Sequence, residues 1–155
     1  MWFQANVEED LATIHALRGD AASSRRLLES ILPARERFFR SDTRNINREV
    51  ELMLTKARLG DRAEASRIAS HVLETAPRHP GKVFAVARAL ALCAESARRA
   101  RDPQESAFAE KAIAALRQAA ASGFKDNYAV KTSPDLAAVR GLSGYPELVA
   151  ELSRR

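Results

Sequence analysis

Gly19-Asp20 and Gly60-Asp61 punctuate the first half of the chain with the same device. A glycine after an apolar helical run supplies the left-handed residue that closes a helix, and the aspartate behind it can cap the next one. The clearest instance opens Gly60 to Pro77, GDRAEASRIASHVLETAP. There Asp61 and Glu64 have the spacing of a capping box. Ala65, Ile68, Ala69, Val72 and Leu73 recur on one helical face, and Pro77 forbids continuation. The stretch therefore reads as the turn and second helix of a helical hairpin.

Taken in order, the rest of the chain repeats that pattern. A first helix is expected from Phe3 or Asn6 to Arg18, with Val7, Leu11, Ile14 and Leu17 as its inward stripe. A second begins near Asp20 and buries Leu27, Leu28, Ile31 and Leu32; Pro33 either ends it or opens a continuation through Phe39. The third covers about Thr43 to Leu59, the fourth ends near Thr75, and the fifth starts at Pro80 and is apolar almost all round. A sixth runs from about Gln104 to Ala121 with Gly123 as its cap. A turn at Asn127 to Val130, a short helix after Ser133-Pro134 and a last amphipathic helix to Leu152 follow. Few aromatics (6%), six glycines and no alternating β-branched run leave no strand to defend, so the fold class is all-α.

The net charge of +5 admits a polyanion partner, but the arginines are scattered among nearly as many acids, which argues against nucleic-acid binding. Cys93 is the single cysteine, so it excludes an intrachain disulfide and reads as a small core thiol. Glu8, Glu9 and Asp10 arrive before any apolar run, unlike a signal peptide, and read as first-turn acids complementing the helix dipole. Val83 to Ala94 is interrupted by Arg88 and far short of the roughly 20 residues of a membrane span. A cytoplasmic, soluble protein is expected. His15, His71 and His79 fall on separate segments without metal-ligand spacing. No phosphate loop or kinase motif is present. No cofactor and no enzymatic activity are expected.

In the second hairpin, Leu52-Met53, Gly60-Asp61, Ala65, Ala69 and Pro77 fall at the spacings of the tetratricopeptide repeat, a two-helix unit of about 34 residues. One period on, Val83, Val86-Ala87 and Leu90 take the corresponding sites, and Ala112 and Leu116 match the helix after it. The chain thus resembles a tetratricopeptide-repeat protein over Asn6 to Gly123. Glu8, Glu49, Lys56 and His15 stand where the family has aromatics. The resemblance implies a solenoid of about three hairpins over residues 1–123, and residues 124–155 form a capping segment of the same domain. That segment, from Ala119-Ala120-Ala121-Ser122-Gly123-Phe124-Lys125-Asp126 through Ser133-Pro134-Asp135-Leu136, Val139-Arg140-Gly141, Tyr145 and Leu148, resembles the closing part of repeat arrays in planctomycete-type bacterial Ser/Thr protein kinases.

The resemblance implies a binding module or scaffold, in a bacterial signalling setting, whose concave face is lined by the first helices of the hairpins. In the first hairpin those positions are Asn6, Glu9, Asp10 and Thr13; their acidity departs from the Lys/Asn/Arg clamp of chaperone-tail-binding repeats. The peptide-binding candidates are Asn47, Val50, Glu51, Leu54 and Arg58, then Phe84, Arg88, Ala91 and Leu92. The mix of Val50, Leu54, Phe84 and Leu92 with Arg58 and Arg88 suits an apolar helix or an extended peptide. Alternatively, Tyr145 to Leu152 folds back over the groove. Two other functions stay open: a self-associating structural domain and a nucleic-acid-binding helical repeat.

Overall fold

The computed structural model describes the backbone of residues 2–154 and the side chains of residues 4–154. The described residues are all-helical: α1 (Trp2–Leu17), α2 (Ala21–Ser41), α3 (Ile46–Leu59), α4 (Arg62–Thr75), α5 (Pro80–Arg99), α6 (Glu105–Ala121), α7 (Asn127–Thr132), a 3-10 helix (Pro134–Val139) and α8 (Tyr145–Ser153). α1 packs on α2, α3 on α4 and α5 on α6, as three consecutive hairpins. α2 touches α3, α4 touches α5, and α3 and α5 lie directly against each other. No described helix is long and apolar enough to cross a membrane.

The Gly-Asp device works as its chemistry requires. At both sites glycine is left-handed (φ 81° at Gly19, 84° at Gly60), and the aspartate N–H reaches back to a carbonyl of the last turn: Asp20 to His15 at 2.9 Å, Asp61 to Lys56 at 3.0 Å. The aspartate carboxylates then cap α2 and α4, accepting from Ser23 N–H at 2.9 Å and Glu64 N–H at 3.3 Å. The end of α6 uses the same bonds around Gly123, and the end of α5 uses them around Arg101, left-handed at φ 55°. The capping box itself is only half formed. Glu64 turns away from Asp61 to grip Arg67 with both oxygens (2.7 and 2.8 Å), a pairing that holds its carboxyl below the usual range.

Three expectations fail. Pro33 neither ends nor restarts a helix; it lies exposed within α2, which runs unbroken to Ser41. More consequentially, the apolar stripe of α1 faces solvent: Val7, Leu11, Ile14 and Leu17 are 43, 44, 44 and 66% exposed. The buried side is Ala5 and Ala12, whose small size lets α2 approach closely with Leu28 and Ile31. Because α1 starts at Trp2, Glu8 to Asp10 also lie beyond its first turn.

Those four residues form a small core of their own, edged by Leu27 and Leu59. The main core spans α3 to α8, and Leu32, Phe39 and Ile46 pack onto it from the α2–α3 side. The tail shares it: Val130, Leu136, Val139, Tyr145, Leu148 and Leu152 are buried there. Tyr145 donates its hydroxyl to the Val130 carbonyl at 2.6 Å. Phe124 stacks on Phe84 with centroids 4.2 Å apart.

Cys93 is fully buried, and loss of hydration pushes its thiol up to about 12. The native protein is therefore expected to resist a thiol-disulfide reagent at pH 8 and to react stoichiometrically once unfolded; rapid native labelling would contradict this packing. Gly60→Ala and Gly19→Ala each place a side chain in a left-handed conformation, at about 1–2 kcal/mol. Gly60 should lose more, because its new Cβ would lie 3.2 Å from Ser96 Oγ while Gly19 has open space. Thermal unfolding of the two variants measures the difference.

Candidate functional site

Where the two cores meet, charged side chains take over from apolar ones. Arg35 continues the inward stripe of α2 through Ser24, Leu28 and Ile31, which brings its guanidinium to 1% exposure. Its Nη2 donates to Asn6 Oδ1 at 2.7 Å and to Glu9 Oε2 at 2.6 Å, and its Nη1 to Glu51. The other oxygen of Glu9 accepts from Arg58 of α3. Arg58 Nη2 reaches Asp135 of the 3-10 helix at 3.2 Å, and Arg88 of α5 holds the same Asp135 oxygen from Nε at 2.9 Å and Nη2 at 2.6 Å. Glu51, Arg35, Glu9, Arg58, Asp135 and Arg88 thus alternate in sign through five elements.

Local sequence explains each position. Glu51 and Arg58 sit seven residues apart, two turns of α3, on one face. Asp135 follows Pro134, which starts the 3-10 helix. That helix packs on α5, bringing the carboxylate to Arg88 with 8% exposure. A second polar pair ties α3 to α4: buried Glu49 and half-exposed His71, 2.7 Å apart.

The candidate residues divide accordingly. Glu51, Arg58 and Arg88 come together in the ion network. Leu54, Phe84 and Ala91 are buried in the main core. Asn47 is exposed, while Val50 and Leu92 are half-buried against the core. The element lying on α5 is the 3-10 helix, whereas α8 packs on α6 and α7. Of the first-hairpin positions, Asn6 and Glu9 join the network and Asp10 points to solvent.

Arg35 and Asp135 were missed as partners of this face. Arg35 left a signal, since an arginine in register with Leu28 and Ile31 must either snorkel out or find carboxylates. Asp135 read only as a residue of a short helix start. Among the described residues, no group of three His, Cys, Asp or Glu side chains could hold a metal ion. A cleft of about 590 Å³ lies elsewhere, between the starts of α4 and α6, lined by Arg62, Ser66, Gln104, Phe108 and Lys111.

Removing one partner of a buried pair strands the other charge, at about 3–5 kcal/mol. Arg35→Ala is expected to lose that much in chemical denaturation. Arg25→Ala, which breaks only the exposed pair with Glu29, should lose under about 1 kcal/mol. Equal losses would remove the network from its structural role. Comparison with family models, with curated proteins and with solved structures finds no match to this chain.

Proposed function

We propose that this chain is a protein–protein interaction module of tetratricopeptide type, which binds a peptide or amphipathic helix along the joined faces of α3 and α5. The observation that carries this reading is the direct contact of α3 with α5, the first helices of consecutive hairpins. It leaves Asn47 exposed, and Val50, Glu51, Arg88 and Leu92 partly exposed, on neighbouring helices. Apolar patches flanked by a carboxylate and a guanidinium fit a partner helix with i, i+4 anchors. The likeness of the closing segment to those of kinase-associated repeat arrays favours a place beside a signalling domain.

A polyanion partner is less well supported. Arg62, Arg67, Arg98 and Arg99, besides those of the network, are each engaged by a carboxylate of the same chain. That engagement offsets the positive charge a nucleic acid would have to find.

Charge reversal at Arg58 or Arg88 would act on folding through Asp135, so the test belongs at the accessible positions. Peptides selected from a displayed library on the immobilised protein should bind Asn47→Arg/Val50→Lys at least about tenfold more weakly, about 1.4 kcal/mol, with helicity unchanged by circular dichroism. Unchanged affinity, or no enrichment at all, would end this reading.

A further inference from the structure

The α1 stripe is a second surface, independent of the α3–α5 face. Val7, Leu11, Ile14 and Leu17 form one aliphatic row along an exposed helix. The neighbouring outer positions of α2, Arg25, Arg26, Glu29 and Arg37, are exposed and charged. The apolar patch is therefore one helix wide, and its natural occupant is another helix.

Its charges say which one. Asp10 and Arg18 are both exposed beside the row, two turns apart. A second α1 laid antiparallel about Ile14 sets Leu11 against the second copy's Leu17. It brings Asp10 to Arg18 at both ends. The parallel alternative would set Asp10 on Asp10 and Arg18 on Arg18, and would align the helix dipoles unfavourably. We propose that α1 is the seam of an antiparallel, two-fold symmetric homodimer built on Leu11, Ile14 and Leu17, with reciprocal Asp10–Arg18 pairs. Such an isologous contact closes on itself and stops at two copies. One helix per copy makes an interface at the small end of specific ones, so the dimer is concentration-dependent.

Sedimentation velocity from about 1 μM to about 1 mM tests this. The expected result is a monomer-to-dimer transition that moves at least about tenfold to higher concentration in Leu11→Asp/Ile14→Asp, with helicity and thermal midpoint retained because both side chains are exposed. Asp10→Arg should weaken the dimer, and Asp10→Arg/Arg18→Asp should restore it, which only the antiparallel register predicts. A wild type monomeric throughout, a dimer indifferent to Leu11→Asp/Ile14→Asp, or growth beyond two copies would each overturn the proposal and assign the stripe to another occupant.

Discussion

A guanidinium withdrawn from water must meet its charge inside the protein, and for Arg35 that requirement orients the whole first hairpin. At 1% exposure it takes carboxylates from α1 and α3 together with an amide oxygen from α1. Turning α1 by half a revolution would bury Val7, Leu11 and Ile14 and carry Glu9 to solvent. The gain would be about half of the 1.5–3 kcal/mol per fully buried aliphatic side chain, so roughly 2–5 kcal/mol for the three. The loss would be Glu9 from both Arg35 and Arg58, leaving each a single carboxylate, Glu51 and Asp135, where a buried charge stripped of its partner altogether costs about 3–5 kcal/mol. Charge satisfaction wins over hydrophobic pattern, and the aliphatic row is exposed as its consequence.

The same network determines how the two cores cohere. The first hairpin has few apolar residues of its own, with Ala5, Ala12, Leu28 and Ile31 at its centre, and it meets the larger core both through Leu32 and Phe39 of α2 and across a polar seam. Glu9 spans that seam to Arg58, and Asp135 extends it to Arg88 and the C-terminal segment. Residues far apart in sequence are thereby fixed in register by pairs that tolerate little slippage, since each carboxylate has a specific guanidinium to meet. Leu136 and Val139 supply the apolar half of the same docking.

Helix number and punctuation were legible because they depend on local chemistry. A glycine that must go left-handed, an aspartate that caps, and a proline that starts α5 act within a few residues. The broad apolar face of α5 likewise announced a central helix. What was not legible depends on partners distant in sequence. Val7, Leu11, Ile14 and Leu17 carry a sound helical period, but periodicity does not reveal that Glu9 on the opposite side has two arginines to satisfy. Pro33 read as a boundary because proline usually is one; it lies on an exposed face, and α2 accommodates its ring and the missing N–H and runs on to Ser41. Asn47, Val50 and Leu92 were placed on an accessible face, whereas Leu54, Phe84 and Ala91 were drawn into the core by neighbours such as Phe124 that no repeat spacing predicts.

The composition of the network also bears on what the α3–α5 face can recognise. Three guanidiniums and three carboxylates alternate there, so their fields largely cancel beyond a few ångströms, and the net +5 of the chain arises elsewhere. A face of this kind gives little long-range steering, which needs charge of one sign. If the face binds as proposed, selectivity at Val50 and Leu92 would come from short-range fit, with the compensated charges acting mainly against a partner that would bury an unmatched ion. On the proposed reading, the network that fixes the fold leaves shape, rather than charge, as the property a partner of this face would have to match.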